Sequence, residues 1–434
     1  RILAPQPFMK NFLDKFFSRS KNLDYISQNL KNITLKTPAN KIFEAINNFS
    51  EKSEIRYVGG CVRKVINKEI VDDIDLATNL TPHEVCEALK KKQISYYETG
   101  IEHGTVTAII NEHKFEITSL RKDISTDGRH AKVSFTSNWE EDALRRDFTI
   151  NAIYADIEGR IFDPLNGISD LNNRKIKFIG SPKERIQEDF LRILRYLRFF
   201  TEYSKSDHDE DAIKSIKQYI NGLNQVSKER ILDELKKILS LKNVYGLFSN
   251  KESKEIILNI FPQFKFYPRL KVFNGLNKQT KSKYNYILIL ALLILDHTDN
   301  WEFFCYKYKT SNNIKKIFRE ISEKIEDLKY KKFFSKENIK KLIYLSSKNK
   351  VKDLLLLSAC VNNKIKTSFI EELLDYIDVC KIPKFPFSGN FLKEQGYEAG
   401  PELGKKLKSL EERWIDNNFV IDKKMLEKSL GKTK

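Results

Sequence analysis

The chain has 434 residues, of which 41% are hydrophobic and 12% aromatic, and this content supports packed cores in roughly three domains. Its formal net charge of +18 favours a polyanionic partner such as nucleic acid, although a lysine-rich composition does not by itself select one. The longest apolar run, residues 286–295, is shorter than the roughly 20 residues that cross a bilayer, so it predicts a buried helix and excludes a membrane span.

The first motif in chain order is GGCVRKVINKEIVDDIDLAT, residues 59–78. Its two leading glycines predict a turn in which backbone N–H groups approach an anion, with a helix opening toward Arg63. Asp73 and Asp75 flank one residue, so on a strand their side chains share a face, and such a pair usually persists where a divalent cation compensates it. The motif predicts a phosphate site beside a Mg2+ site, and the alternative is a surface aspartate pair in a turn.

The next motif predicts a β-hairpin. TVTAII and KFEITSL alternate apolar and polar residues and are separated by the turn-like sequence Asn111-Glu112-His113. Glu116 lies between two apolar residues of the second strand, where an unpaired buried carboxylate is costly. We interpret it as a third acid of the metal site, and the alternative is a solvent-facing glutamate on an amphipathic strand.

Two polar segments follow the hairpin. RKDISTDGRHAKVSF predicts a flexible loop with a turn at Asp127-Gly128, followed by Arg129 and His130, or else an ordinary hairpin connection. RRDFTINA, residues 145–152, begins with two arginines and an aspartate, which at a helix start are often only a solvated ion pair.

The segment EDFLRILRYLRF, residues 188–199, has the apolar spacing of a helix. Its arginines are three residues apart. Because each residue turns about 100° around the helix axis, successive arginines are displaced by about 60° and fan out instead of stacking. The alternative reading is an amphipathic helix with a basic outer face. The charged residues of the segment are Glu188, Asp189, Arg192, Arg195 and Arg198.

The chain changes character near residue 160, from short β-rich runs to successive helical patterns. We predict an α+β head over 33–160, a helical neck over 161–265, and a helical body and tail over 266–434. The prolines of FPQFKFYPRL suit a junction between neck and body. Near the end, Gly400-Pro401 predicts a helix start able to bind a phosphate, with Lys405, Lys406 and Lys408 nearby; a plain surface helix is the alternative.

Taken together, the motifs resemble those of the class II tRNA nucleotidyltransferases, the CCA-adding enzymes that share a head domain with bacterial poly(A) polymerases. The resemblance is carried by GGCVRK with DDIDLAT, FEITSLR, DGRH, RRDFTINA, DPLNGISDL and RIQEDFLRILRYLRF, and is continued by SKERILDELKKIL and GNFLKEQGYEAGPELGKKLKSLEERWIDNNF. It implies a nucleotidyltransferase head with a small β-sheet and helices, followed by an all-helical neck, body and tail.

The resemblance also implies roles for particular residues. Asp73 and Asp75 would bind two Mg2+ ions, with Glu116 completing the cluster, and Gly60 and Arg63 would hold the triphosphate. Arg146 would reach the bound nucleotide from the RRD motif, Asp189 and Arg192 would read the incoming base, and the DPLNGISDL motif would brace the head against the neck. The remaining implied site residues are Arg145 and Asp147 beside the nucleotide, Arg195 and Arg198 at phosphates, and Asp127, Gly128, Arg129 and His130 in a loop that switches the pocket from C to A.

Base choice has a physical reason in this arrangement. Cytosine and adenine each present an amino donor beside a ring-nitrogen acceptor, which suits a carboxylate next to a guanidinium, and uracil and guanine invert that pattern. A carboxylate that faces a carbonyl leaves buried polar groups unpaired. We therefore expect CTP and ATP, and not UTP or GTP, to be substrates.

The expected activity is template-independent addition of CCA to the 3′ end of tRNA, with Mg2+ as cofactor and release of pyrophosphate. Three alternatives stay open: a poly(A) polymerase of the same superfamily, a partial CC- or A-adding enzyme, and a non-catalytic RNA-binding protein. The five cysteines show no C-x-x-C pair and no zinc spacing, which fits a reducing compartment. We expect a monomer without membrane attachment, in the cytoplasm, or in the mitochondrial matrix if the source is eukaryotic.

Overall fold

A computed structural model describes residues 24–98, 100–126, 131–362 and 365–430. The chain forms two compact units, Arg1–Leu235 and Lys236–Lys434. All strands of the described residues lie in the first unit, and those of the second unit form helices and loops. The predicted α+β class is therefore confirmed, whereas the division into head, neck and body stays a prediction.

A seven-stranded mixed sheet organises the first unit, in the order β3-β4-β5-β2-β1-β8-β9. The β2/β5 pairing is parallel, and the other described pairings are antiparallel. A separate antiparallel hairpin consists of β6 and β7. The strands are β1 Ile55–Val58, β2 Ile74–Thr78, β3 Ser95–Tyr97, β4 Thr105–Ile110, β5 His113–Ser119, β6 Arg121–Thr126, β7 Ala131–Phe135, β8 Tyr154–Ala155 and β9 Ile161–Phe162.

The predicted hairpin corresponds to β4 and β5. Alternate residues of both strands are buried, as their apolar spacing predicts. The turn is shorter than predicted, because His113 already pairs with Ile110 and leaves two residues in the loop. Asn111 has a φ of 55°, a left-handed conformation that asparagine tolerates in tight hairpin turns.

Among the described residues up to Leu239, ten α-helices surround or follow the sheet. The first helix, α1, packs on the head: the Thr34 hydroxyl lies 2.7 Å from the Tyr57 hydroxyl, and the Ser27 hydroxyl donates to the Gly159 carbonyl at 2.7 Å. The predicted head boundary at residue 33 therefore falls within this helix. The helices are α1 over 24–36, α2 Ala39–Asn47, α3 Gly60–Ile66, α4 Pro82–Lys91, α5 Trp139–Leu144, α6 Gly167–Asn172, α7 Pro182–Glu188, α8 Arg192–Tyr203, α9 Glu210–Tyr219 and α10 Lys228–Leu239.

The described residues of the second unit form helices joined by loops. The apolar run forms α15, in which residues 288–294 are all buried, as predicted. No helix in the described part of the chain is long and apolar enough to cross a membrane. The α-helices described in the second unit are α11 Gly246–Ser249, α12 Lys251–Ile260, α13 Arg269–Gly275, α14 Lys278–Lys281, α15 Tyr286–Ile294, α16 Asn300–Tyr308, α17 Asn312–Ser322, α18 Lys336–Leu345, α19 Lys348–Val361, α20 Thr367–Val379, α21 Gly389–Glu394, α22 Pro401–Asp416 and α23 Lys423–Ser429.

The predicted start of the tail helix is confirmed. Gly400 occupies the N-cap of α22 and Pro401 its first turn. Proline suits this position because its missing N–H would have no partner within the helix. The helix is anchored by Leu410 and Trp414, which are buried.

Candidate active site

A cavity of about 650 Å³ opens in the first unit. Most of the residues singled out from the sequence line it, although they come from distant parts of the chain. Two of them, Asp73 and Glu116, are exposed residues near its acidic wall and do not line it. The predicted residues that line the cavity are Gly60, Arg63, Asp75, Arg145, Arg146, Asp147, Asp189, Arg192, Arg195 and Arg198.

Asp75 lies at the acidic wall of this cavity. Its partner in the parallel β2/β5 register is Glu116. Burial raises the pKa of the Asp75 carboxyl, and repulsion from Glu116 and then Asp73 adds to this effect, against attraction from Arg146 and Arg63. Glu116 is thus a solvent-facing strand residue, as the alternative expected, and it repels the Asp75 carboxylate. Its assignment to a metal site stays a prediction.

Asp73 occupies a different position from the one predicted. It precedes β2, which begins at Ile74, and it is exposed. The three carboxylates offer the hard oxygen donors that suit Mg2+, and their mutual repulsion is what a cation would relieve. Within the described ranges, however, no three His, Cys, Asp or Glu side chains converge closely enough to hold a metal ion in the present arrangement.

The glycine turn brings backbone close to the acids. Gly59 has a φ of 63°, a left-handed conformation that favours glycine, and it precedes the first turn of α3. A Cβ atom on Gly60 would lie 3.2 Å from Asp75 Oδ2. Because this is closer than ordinary van der Waals contact, the absence of a side chain at Gly60 lets the helix start approach the carboxylate.

Arg63 is buried beneath the turn. Its guanidinium donates to the Asn151 side-chain oxygen and lies 4.8 Å from the centre of the Phe199 ring and 5.3 Å from that of Tyr203. The aromatic faces and the amide hold the cation in a defined place at the cavity wall. The predicted helix opening toward Arg63 is α3.

A carboxylate that the sequence analysis did not identify organises the RRD segment. Asp142 is 1% exposed, and its two oxygens bind Arg145 at 2.6 Å and Arg146 at 3.0 Å. The Tyr154 hydroxyl donates to it at 2.8 Å. Burial raises the pKa of Asp142, but the guanidinium groups of Arg146 and Arg145 and the tyrosine hydroxyl outweigh it, so the pKa falls to about 2.

The RRD segment follows the end of α5 and is not at a helix start. Asp147, its third residue, is buried and accepts from Arg195 at 2.6 Å and from the Asn151 amide at 2.8 Å. Burial raises the pKa of Asp147, and attraction from Arg195 with the Asn151 bond more than offsets this, which lowers it to about 2. These are buried pairs, so the solvated ion pair considered from the sequence is wrong here.

The predicted helix over EDFLRILRYLRF is interrupted. α7 ends at Glu188 and α8 begins at Arg192, with Asp189 in an extended conformation between them. Asp189 Oδ1 accepts from the Leu191 N–H at 3.2 Å, and Oδ2 accepts from Arg230 at 2.7 Å. Because the carboxylate satisfies a backbone donor at the start of α8, it stabilises the break.

The three arginines of α8 bind different acids. Arg192 pairs with Glu188 at 2.6 Å, Arg195 with Asp147 at 2.6 Å, and Arg198 with Glu234 at 2.5 Å. Their side chains are only 12%, 29% and 11% exposed, so a basic outer face is wrong, although the predicted fanning is present. This wall of the cavity is therefore cationic, and its arginines are held by two buried acids, Asp147 and Glu234, and by the partly exposed Glu188.

The DPLNGISDL segment packs against the residues after RRD. Asp163 accepts from the N–H groups of Gly167 and Ile168, and Asp170 accepts from the Thr149 hydroxyl at 2.8 Å. A Cβ on Gly167 would lie 2.2 Å from the Thr149 carbonyl oxygen, so only glycine fits there. The contacts agree with a structural function for this motif.

The predicted loop residues Asp127, Gly128, Arg129 and His130 lie outside the described residues. The segments on either side of them form β6 and β7, so the sequence RKDISTDGRHAKVSF contains a hairpin. Phe135, at the end of β7, approaches Gly104, where a Cβ would lie 2.9 Å from its ring.

Several cavity-organising residues were missed by the sequence analysis. Two of them act across a long chain separation: Arg230 is 41 residues from Asp189, and Glu234 is 36 residues from Arg198. Burial of a charged residue is visible only in the fold. The missed residues are Asp142, Asn151, Tyr154, Phe199, Arg230 and Glu234.

Comparison with known proteins identifies relatives along most of the chain. Residues 55–177 match the family described as "Poly A polymerase head domain", and residues 208–267 match "Probable RNA and SrmB- binding site of polymerase A". CCA tRNA nucleotidyltransferase 1, mitochondrial, of Mus musculus is 34% identical over 88% of this chain and 88% of its own length. The CCA-adding enzyme of Staphylococcus epidermidis is 30% identical over 85% of this chain and 91% of its own length.

Solved structures share the fold. The Bacillus stearothermophilus CCA-adding enzyme in complex with CTP has a TM-score of 0.67 at 22% identity, covering 90% of this chain and 95% of that one. The Thermotoga maritima CCA-adding enzyme complexed with tRNA_CCA has a TM-score of 0.60 at 18% identity, covering 90% and 94%. The likeness confirms the predicted fold class, a mixed-sheet head with a helical remainder.

Proposed function

Because the chain belongs to the CCA tRNA nucleotidyltransferases, we propose that it adds C, C and A to the 3′ end of tRNA, with CTP and ATP as substrates. The observation that carries the proposal is the cavity in which Asp75, opposite Glu116, faces a wall of arginines. Acids and fixed cations within one cavity suit transfer of a polyanionic nucleotide. Structures of relatives with CTP, ATP and tRNA_CCA agree with these partners.

Asp73, Asp75 and Glu116 are the residues that would hold Mg2+. When bound, the cation would lower the pKa of the RNA 3′-hydroxyl and neutralise charge on the leaving group. These residues suit Mg2+ because all three are carboxylates. Burial is the largest cause of the raised pKa of Asp75, and repulsion from Glu116 and Asp73 adds to it. The side chains would need to draw together, because Asp73 lies outside the strand.

The reaction we propose is an in-line displacement without a covalent enzyme intermediate. The RNA 3′-oxygen forms a bond to the α-phosphorus, the bond to the bridging oxygen breaks, and pyrophosphate leaves while the hydroxyl proton passes to solvent. N–H groups at the Gly60 turn and the guanidinium of Arg63 hold the triphosphate. Arg146, fixed by Asp142, supplies a further cation beside the nucleotide.

Base choice is assigned to Asp189 and Arg192. Both line the cavity, and each is already oriented by a partner, Arg230 for Asp189 and Glu188 for Arg192. A carboxylate and a guanidinium accept and donate in the pattern that cytosine and adenine share. Arg145, Asp147, Arg195 and Arg198 support the nucleotide, and residues 127–130 are proposed to adjust the pocket between C and A.

The remaining parts of the proposal concern organisation. We propose a catalytic head over 33–160, a base-reading neck over 161–265, and a tRNA-binding body and tail over 266–434. The chain would act as a monomer wherever its tRNA substrates are, in the cytoplasm or, in a eukaryotic source, in the mitochondrial matrix. The two mammalian relatives carry the word mitochondrial in their names.

A poly(A) polymerase is the second candidate, because the head match is to a family described by that activity. One assay separates the candidates: purified protein, Mg2+, and tRNA that lacks its terminal CCA, with each labelled nucleotide in turn and then in mixtures. Addition that stops after C, C and A supports the proposal, and addition of two C residues or of A alone indicates a partial enzyme. Long A tracts indicate a poly(A) polymerase, and no addition indicates a non-catalytic RNA-binding protein.

The same assay tests base choice. Wild-type protein should not incorporate UTP or GTP, and Asp189→Ala should blur this selectivity before it removes activity. UTP incorporation by the wild type at the rate of CTP, or unchanged selectivity in the variant, would contradict the assignment. Asp73→Ala should abolish turnover while tRNA affinity persists.

A further inference from the structure

One wall of the cavity has no part in the proposed chemistry. His103, Thr105, Thr118 and Arg121 line it, and they belong to β4, β5, β6 and the turn before β4. The arginines assigned to the nucleotide come instead from α3, α8 and the RRD segment. Besides His103 and Arg121, this sheet-built wall offers the hydroxyl groups of Thr105 and Thr118.

The sheet register relates this wall to the acids. Asp75 pairs with Glu116, and Thr118, two residues further along β5, pairs with Thr105 of β4. Side chains two residues apart on a strand share a face and are separated by about 7 Å. The two threonines therefore lie on the face that carries Asp75 and Glu116, one step along the strands.

Strand order places the threonines on a definite side of the acids. The sheet runs β4-β5-β2-β1, and the glycine turn at Gly59-Gly60 directly follows β1. The acids on β2 and β5 thus separate the glycine turn from Thr105 on β4. In an in-line displacement the attacking hydroxyl and the leaving pyrophosphate lie on opposite sides of the phosphorus, so the threonine side suits the RNA end.

The two hydroxyls form one bond with each other. Thr105 Oγ1 lies 3.2 Å from Thr118 Oγ1, and both residues are partly buried. Their mutual bond uses one of two hydroxyl protons, so the pair retains one donor and several lone pairs. Such a pair matches a ligand hydroxyl, which donates and accepts at once.

The backbone holds the pair rigidly. Gly104 has a φ of 84° and its carbonyl accepts from the Ser119 N–H at 2.8 Å. The Arg121 guanidinium donates to the His103 carbonyl. The turn before β4 is therefore tied to the end of β5 and the start of β6, and this fixes the position of Thr105.

We propose that Thr105 and Thr118 bind the 2′-hydroxyl of the terminal ribose of the RNA primer and so distinguish an RNA end from a DNA end. The inference rests on the proposed function, which requires an RNA terminus beside Asp75 and Glu116. The incoming nucleotide carries the same hydroxyl, but its triphosphate is assigned to the glycine side. The primer is therefore the ligand that the strand order favours.

The test uses two tRNAs that lack CCA and differ only in a 2′-hydroxyl or 2′-hydrogen on the terminal ribose, each extended with CTP and with dCTP. Thr105→Val, Thr118→Val and the double variant remove the hydroxyls and keep the side-chain shape. Thr201→Val on α8 is the matched control, because its hydroxyl donates to the Leu197 carbonyl of the same helix. Thermal unfolding of each variant checks that it is folded.

Wild-type protein should show a KM about tenfold lower for the ribose-ended tRNA, the effect of roughly one hydrogen bond. In the double variant this ratio should fall toward unity while the KM for CTP is unchanged, and Thr201→Val should behave as wild type. An unchanged ratio in the double variant overturns the inference.

Two other results also overturn it. A double variant that loses discrimination between CTP and dCTP, and not between the two tRNAs, assigns the pair to the incoming nucleotide. Equal extension of both tRNAs by the wild type overturns the inference and leaves the proposed function intact. No extension of either tRNA overturns the proposed function and the inference with it.

Discussion

Asp75 on β2 lies opposite Glu116 on β5 in the parallel register of the sheet. Neighbouring strands are about 4.8 Å apart, so backbone hydrogen bonds hold two carboxylates side by side. Burial first, and then Glu116 and Asp73, raise the pKa of Asp75. The fold thus maintains repulsion between carboxylates at the cavity wall, as expected of a site that binds a cation.

The first prediction concerns the raised pKa of Asp75 and its effect on stability. The folded state binds the Asp75 proton more tightly than an unfolded chain with the usual value of 3.8, so stability falls as pH rises through the raised pKa. Asp75 is therefore less favourable to the folded state at pH 7 than at a pH below 3.8. Asp75→Asn should therefore raise the melting temperature at pH 7 without divalent cations, while it lowers turnover by about 100-fold or more.

Thermal unfolding and nucleotide addition measure these two effects. Mg2+ should raise the melting temperature of the wild type more than that of Asp75→Asn. Glu44→Gln is the control, because Glu44 is an exposed acid that pairs with Lys92 away from the cavity. A less stable Asp75→Asn protein with normal turnover would remove Asp75 from the metal site.

A second prediction concerns Asp142, the buried acid between Arg145 and Arg146. Asp142→Asn leaves two guanidinium groups without their counter-charge, and breaking a buried pair costs about 3 kcal/mol or more. Because the pKa of Asp142 is lowered from 3.8 to about 2, its stabilisation is complete above 3.8 and is lost as pH falls toward 2.

Urea unfolding at pH 7 and at pH 2 measures the difference in stability between Asp142→Asn and the wild type. The variant should be less stable than the wild type at pH 7, and the difference should shrink between pH 4 and pH 2, the range set by the two pKa values. Glu140→Gln, an exposed acid on the same helix, should match the wild type at both. A difference that does not depend on pH would show that the carboxylate charge is not what stabilises this region.

Local features of the fold were predictable because their causes are local. The β4/β5 hairpin follows from strict alternation, α15 from a continuous apolar run, and the start of α22 from Gly400-Pro401. The acidic and glycine motifs identified much of the cavity for the same reason, since their residues are neighbours in sequence.

What the sequence did not predict depends on distant residues. The break between α7 and α8 is stabilised by Asp189, whose other oxygen binds Arg230, 41 residues further on. Helical periodicity alone favours one continuous helix through that point. Asp142 was missed because nothing in WEEDAL distinguishes this buried acid from Glu140, which is exposed.

A third prediction concerns Asp147 and Arg195, which join the RRD segment to α8. Asp147→Asn, Arg195→Gln and the double variant form a cycle that isolates their interaction. We expect a coupling energy of about 1–3 kcal/mol in unfolding, because the pair is largely buried. The single variants should also lower turnover, since both residues line the cavity.

An exposed pair gives the comparison for this cycle. Lys31 and Glu158 are also bonded at 2.6 Å, but their side chains are 52% and 53% exposed. Their coupling should be less than about 1 kcal/mol because water screens them. Equal coupling in the two pairs would mean that burial does not set the strength of the Asp147–Arg195 interaction.

The last prediction tests how closely the glycine turn must approach Asp75. In Gly60→Ala the new Cβ would lie 3.2 Å from Asp75 Oδ2, so the carboxylate must shift by a few tenths of an ångström. A shift of this size should cost little in unfolding but should lower turnover at least about tenfold, because reacting groups depend on close positioning. Gly275→Ala, at the end of α13 with nothing within 4 Å of its Cβ, should retain full turnover. Normal turnover in Gly60→Ala would show that Asp75 tolerates displacement, so turnover would not depend on how closely the glycine turn approaches the carboxylate.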